Sequence, residues 1–235
     1  MSRVAGKVDV AGNVARVRER IALAAQRIGR RPEDTRLVAV AKTVAAGRVR
    51  EALAAGVGEV GENYVQEAAA KRAEVGEGAI WHLVGHLQRN KASRAAAIFD
   101  MIQTVDSLRI AQAIGRQAQA LGRTVDILLQ VNTSGEESKS GVTPREVEAL
   151  FEGVRTVAGV RVKGLMTIGR WDPDPERARP EFRLLAEVAE RLKVSAEAEM
   201  SWLSMGMSHD FEVAIEEGAN LVRIGTGIFG PRPRQ

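Results

Sequence analysis

Lys42 follows the apolar run Leu37-Val38-Ala39-Val40-Ala41. A lysine at the end of such a run is drawn out of bulk water, and a desolvated amine loses its charge readily and condenses with a carbonyl carbon. The same lysine could instead lay its stem along the strand and carry its ammonium to solvent. A second chemistry sits near the C-terminal end, in Ser204-Met205-Gly206-Met207-Ser208 and Arg223-Ile224-Gly225-Thr226-Gly227. Glycines let backbone N–H groups approach an anion closely, and Ser and Thr hydroxyls add donors. These two segments predict a phosphate cradle. A reactive lysine beside a phosphate cradle describes either a sugar-phosphate aldolase or a pyridoxal-phosphate protein.

Other residues point to chemistry less sharply. His82 and His86 are four apart with Gly85 between them, and His209 is the third and last histidine. A helical metal pair is not expected there, and without cysteine a zinc site is not expected either. Asp106 suits a helix N-cap before Leu108. Trp171-Asp172-Pro173-Asp174-Pro175 reads as a loop feeding a helix, and Ser134–Gly141 as a solvated loop whose Ser138-Lys139-Ser140-Gly141 could meet a second anion. There is no GxSxG elbow, Walker loop or HExxH motif.

The elements that must position these residues alternate along the chain. Val10, Val14, Val17, Ile21, Ala24 and Ile28 recur at helical spacing, and Gly29 with Arg31-Pro32 ends that helix. Strand-like cores follow at Leu37–Ala41, Val57–Val60, Ile80–Val84, Met101–Val105, Val125–Val131, Val162–Ile168, Trp202–Met205 and Leu221–Ile224. Helical stretches lie between most of them, at Arg48–Ala55, Val65–Val75, Ser107–Leu121, Pro144–Val157 and Glu176–Leu192. Strands alternating with helices predict right-handed crossovers and a parallel sheet. Eight such units in 235 residues match a (β/α)8 TIM barrel. An open doubly wound sheet would carry a glycine-rich turn after its first strand, and Lys42-Thr43-Val44-Ala45-Ala46 cannot make one. Residues 1–235 read as a single domain, with a short tail from about residue 230. In a barrel the strand C-termini carry the chemistry, and that is where Lys42, Asn63 and the two glycine segments fall.

Composition narrows the class. Apolar residues are 45% and charged residues 27%, an ordinary globular balance that excludes a disordered or collagen-like chain. The net charge of +4 is spread among mixed charges and aromatics are only 4%, which argues against a nucleic-acid reader. No stretch approaches the roughly 18 apolar residues of a membrane helix. The N-terminus lacks a signal-peptide core. With no cysteine the chain needs no oxidising compartment, and the cytoplasm is its expected location.

From about Val38 to Gly230 the sequence resembles the pyridoxal phosphate homeostasis proteins. The carriers are Val38-Ala39-Val40-Ala41-Lys42-Thr43, GENYVQE at Gly61–Glu67, the run from Trp81 to Lys91, and Ser138-Lys139-Ser140-Gly141. Gly164-Leu165-Met166, Leu203–Ser208 and Arg223-Ile224-Gly225-Thr226 complete the set. The resemblance implies a barrel like the N-terminal domain of alanine racemase, a fold type III pyridoxal-phosphate protein without the C-terminal β-domain. It implies pyridoxal 5'-phosphate held as an imine on Lys42, with the phosphate on Ser208, Gly225 and Thr226. Arg223 would stand beside the pyridine nitrogen or the phosphate and Asn63 near the ring, with Ser204 and Met207 completing the cofactor-binding set. Two positions depart from the family pattern: Val44-Ala45-Ala46 replaces a stretch that often holds proline, and His86 stands where a short polar residue or proline is common.

An arginine beside the pyridine nitrogen opposes its protonation and weakens the ring as an electron sink. The expectation is therefore a monomeric protein that stores, buffers or delivers the cofactor, with pyridoxal-phosphate-dependent apoenzymes as partners and no robust catalysis. The alternative is a pyridoxal-phosphate-dependent amino-acid racemase, with Tyr64 and His82 or His86 as proton carriers.

Overall fold

The computed structural model describes residues 8–136, 139–195 and 200–231. Its strands are β1 (Arg36–Val40), β2 (Glu59–Glu62), β3 (Ile80–Leu83), β4 (Met101–Val105), β5 (Val125–Gln130), β6 (Val160–Met166), β7 (Trp202–Met207) and β8 (Leu221–Ile224). All pair in parallel with their sequence neighbours, and β1 pairs with β8, so the sheet closes into the expected barrel. The helices are α1 (Val10–Arg27), α2 (Ala46–Ala54), α3 (Val65–Val75), α4 (Ala92–Ile98), α5 (Leu108–Ala120), α6 (Val147–Val154), α7 (Arg179–Ser195), α8 (Phe211–Glu216) and α9 (Thr226–Phe229).

Two apolar regions hold these layers together. The larger lies between strands and helices and includes Trp81, Phe99, Ile114, Phe182, Leu185 and Phe211, all fully buried. The smaller fills the barrel interior with Val38, Met101, Leu128, Met166 and Leu221. Alternate residues along each strand serve the two regions, as the period of two requires. Among the described residues no helix is long and apolar enough to cross a membrane.

Several elements differ from the sequence expectation: β2 lies two residues later than Val57–Val60, β6 two residues earlier than Val162–Ile168, α7 begins at Arg179, and α9 was not foreseen. Helix α4 was not foreseen, because Ala92-Ser93-Arg94-Ala95-Ala96-Ala97-Ile98 has little apolar–polar contrast, although Ala92, Ala95 and Ala96 are buried. Helix α6 begins at Val147 instead of Pro144, since both the N–H and the hydroxyl of Thr143 donate to Glu146 Oε2 (3.0 and 2.8 Å) and hold the preceding residues in a turn. Asp106 does not cap α5; Ser107 occupies that position.

Gly206 corrects a functional expectation. Its φ is +90°, and an added Cβ would lie 2.6 Å from Ala214 Cβ and 2.8 Å from Phe211 Cα. Helix α8 therefore packs directly on β7 at this glycine, and the space serves the strand–helix contact instead of a ligand. Gly206→Ala combines overpacking with strain at a positive φ and is expected to cost about 2–4 kcal/mol. Thermal unfolding should register a fall of roughly 4–16 °C in Tm; a Tm within about 1 °C of wild type would contradict this packing.

Candidate functional site

β1 delivers Lys42, half-buried, to the mouth of the barrel. The chain turns at once: Val44 N–H donates to Ala41 O (2.9 Å), and Thr43 takes φ 63°, a left-handed conformation uncommon for a β-branched residue. Helix α3 imposes this turn. Thr43 N–H donates to Glu67 Oε2 (3.3 Å), while Lys71 Nζ donates to Ala41 O (2.5 Å) and to the Glu62 carboxylate. Lys71 and Glu62 are both buried. Burial pushes the Glu62 carboxyl up to about 7, against the opposing hydrogen bond and charge of Lys71. Asn63 follows Glu62 at the end of β2. Gly85 passes so close that a Cβ there would lie 2.5 Å from Asn63 O, which accounts for glycine at that position.

Across the mouth, β7 and β8 supply the second group. Ser208 Oγ accepts from the backbone N–H groups of Gly225 and Gly227 at 3.2 and 3.1 Å, so two donors converge on one hydroxyl. The short α9 that carries them is tied down from outside the barrel: Asn13 Nδ2 donates to Ile228 O (2.8 Å) and Arg48 Nη2 to Phe229 O (2.7 Å). Asp210 Oδ1 accepts from Met207 N–H (2.6 Å). Burial pushes that carboxyl up, opposed by the same hydrogen bond and by Arg223.

Arg223 is only 4% exposed; its guanidinium donates to Ser204 Oγ (2.6 Å) and to Thr167 O (2.7 Å). Burial lowers it to about 10, partly offset by Asp210, so it remains a cation near neutrality.

Lys42, Asn63, Met207, Ser208, Arg223, Gly225 and Thr226 all line one cavity of about 610 Å3. Ser204 does not; it is fully buried behind Arg223. The facing wall went unrecognised in the sequence: Ile168, Arg170, Trp171, Asp172, Asp174 and Pro175 border the same space. The Arg170 guanidinium reaches Glu136 Oε1 (3.0 Å) and Ser134 O (3.2 Å), and His209 Nε2 lies 3.0 and 3.1 Å from the carbonyls of Asp172 and Pro173. Trp171 stacks on His209 and is 74% exposed. The position of this segment, directly after the sixth strand of a barrel, was the available signal.

The histidines and tyrosine considered as proton carriers are not part of that lining. His82 is completely buried inside the barrel, and Tyr64 is 61% exposed. His86 borders a smaller neighbouring cavity with Lys139 and Ser140, and its Nδ1 lies 3.2 Å from Ser140 Oγ. Ser138, of the proposed second anion loop, lies outside the described residues. No group of three or more His, Asp or Glu side chains gathers as a metal site among the described residues.

A half-buried lysine, two backbone donors aimed at one hydroxyl and a buried guanidinium fit a phosphate ester that carries an aldehyde. The fold has the same signature. The alanine racemase N-terminal domain family matches residues 13–233, and the barrel superposes on alanine racemase from Clostridium difficile with a TM-score of 0.73 at 17% identity, covering 95% of this chain and 58% of that one. That likeness concerns the fold alone. Within this class the chain belongs to the pyridoxal phosphate homeostasis protein family. A protein of that name from Pseudomonas aeruginosa is 45% identical over 226 residues (95% of this chain, 96% of the relative). The human protein of that name is 39% identical over 225 residues (88% and 82%). The structure of PipY from Synechococcus elongatus with pyridoxal phosphate bound matches with a TM-score of 0.79 at 37% identity, covering 91% of this chain and all of that one.

The Lys71–Glu62 pair gives a test of the lysine turn. Lys71→Met leaves Glu62 buried without its cation and is expected to cost about 3 kcal/mol at pH 8. The folded-state pKa of Glu62 would then rise further above its unfolded value, so stability is lost as pH rises and regained as it falls. Denaturant unfolding of both proteins at pH 5.5 and pH 8 should give the smaller difference at pH 5.5; equal differences would contradict the assignment.

Proposed function

We propose that this chain binds pyridoxal 5'-phosphate through Lys42 and serves in its homeostasis, storing, buffering or delivering it without robust catalysis of its own. The observation that carries the reading is the convergence of Lys42, Ser208, Gly225 and Thr226 on one cavity, with the N–H groups of Gly225 and Gly227 gathered on Ser208 Oγ. When bound, the cofactor supplies an aldehyde that condenses reversibly with an amine. Lys42 is the amine, and the turn locked by Glu67 and Lys71 presents it. Ser208, Gly225 and Thr226 hold the phosphate by N–H and O–H donation. Asn63 and Met207 border the ring, and Ser204 acts from behind Arg223. A cation such as Arg223 beside a pyridine nitrogen opposes protonation there, which favours holding the cofactor over carbanion chemistry. The partners we infer are the free cofactor and apoenzymes that need it. We read residues 1–235 as one domain acting as a monomer, a reading supported by the single closed barrel. The cytoplasm is the inferred setting, supported by the cysteine-free sequence.

The test is the absorbance of protein incubated with pyridoxal phosphate and dialysed. Wild type is expected to keep a band near roughly 420 nm that borohydride removes, and Lys42→Ala to lose it. Ser208→Ala should weaken retention by about tenfold, the loss of one hydrogen bond to a charged group. A wild type without the band, with its fold intact, would overturn the reading and return attention to sugar phosphates.

A further inference from the structure

Five polar side chains cross the barrel interior in a continuous line. Arg223 on β8 donates through Nη1 to Ser204 Oγ on β7 (2.6 Å), and Ser204 Oγ donates to Gln103 Oε1 on β4 (2.7 Å). Gln103 Nε2 lies 2.9 Å from His82 Nδ1 on β3, and His82 Nε2 lies 3.1 Å from Glu59 Oε2 on β2. That last contact is bent away from ideal hydrogen-bond geometry, yet neither of its atoms has another hydrogen-bond partner. Arg36, at the start of β1, closes the line by donating to Glu59 Oε1 (2.9 Å). Gln103, His82 and Ser204 are at most 1% exposed, and none of the three lines the cavity.

The two ends leave this line a single polarity. A guanidinium can only donate and an ionised carboxylate can only accept. Arg36 donates to Glu59 Oε1 and its positive charge holds the carboxyl in the ionised, accepting form. Since Arg223 donates to Ser204, the hydroxyl hydrogen must go on to Gln103 Oε1. The Gln103 amide then faces His82 with its NH2, His82 Nδ1 must accept, and the ring proton sits on Nε2 toward Glu59. Turning the Gln103 amide over would aim two donors at Ser204 Oγ and strand the hydroxyl hydrogen, while placing a lone pair of His82 against the Glu59 carboxylate. Each reversed contact is a buried unsatisfied group.

We propose that Gln103 is a positioning residue: it carries one hydrogen-bond direction from Glu59 and His82 through Ser204 to Arg223, and so fixes the Arg223 guanidinium in the cavity wall. The arrangement of the line stands on the barrel alone, whereas its effect on ligand retention rests on the function proposed above.

The experiment has two arms. In the ligand-free His86→Asn/His209→Asn protein, His82 is the only histidine, so ring 15N NMR reports its tautomer directly. The expected signal is a neutral ring protonated on Nε2. Ser204→Ala, two links away, should bring in the Nδ1-protonated form, and Gln103→Glu, which places an acceptor against Nδ1, should move a proton there. A parent ring protonated on Nδ1, or a ring unchanged by both substitutions, overturns the proposal. In the second arm, Gln103→Met with all three histidines present should retain pyridoxal phosphate about tenfold more weakly in equilibrium dialysis, as expected when a supporting hydrogen bond to a binding side chain is lost. Unchanged retention, or a loss that merely follows a fall in Tm, overturns the positioning role. If wild type fails to bind pyridoxal phosphate, the proposed function falls, and the NMR arm still decides the line.

Discussion

Arg223 keeps a positive charge inside a closed barrel, and a buried charge is tolerated only where its donors are met. Two acceptors, Ser204 Oγ and Thr167 O, and the nearby negative charge of Asp210 meet that demand. Each acceptor makes a further demand. Ser204 must place its own hydrogen, which recruits Gln103, and Gln103 must place its amide, which recruits His82 and then Glu59. A polar line thus runs beside the apolar interior of Val38, Met101, Leu128, Met166 and Leu221. One charge at the mouth determines which side chains the barrel can hold at depth.

Lys42 is positioned by a different device. Its turn has a left-handed Thr43 and is held from outside the barrel by α3, through Glu67 and Lys71. Ser208 and its two backbone donors depend in turn on α9, which Asn13 of α1 and Arg48 of α2 secure. Helix α1, which precedes the first strand, therefore belongs to the support of the site.

The barrel was readable because strands buried on both faces are short apolar runs, and helices between them carry a period of 3.6. Helix α4 was not, because its alanines bury without contrast. Lys42 and the Ser208 and Gly225 segments were legible as chemistry at strand ends. Gly206 was legible as a special position but not for its reason, since a close approach to a helix and one to a ligand require the same residue. The interior line was missed although its trace was present: Glu59, His82, Gln103, Ser204 and Arg223 are polar residues inside or bounding apolar strands. Taken singly, each was open to another reading. Only the closed register brings β4 opposite β7 and turns five isolated residues into one path.

The two walls of the cavity are built to different standards. The Lys42 and Ser208 wall is made of strand ends and buried pairs. The wall at residues 168–175 is held largely by side chains on the surface, Arg170 to Glu136 and Ser134, and His209 to the Asp172 and Pro173 carbonyls. Segments fixed at the surface accept insertions and exchanges that a barrel interior does not. The protein is thus divided into a half fixed at depth and an adaptable half: substitution can reshape the Trp171 side of the cavity while leaving the strand ends and buried pairs opposite untouched.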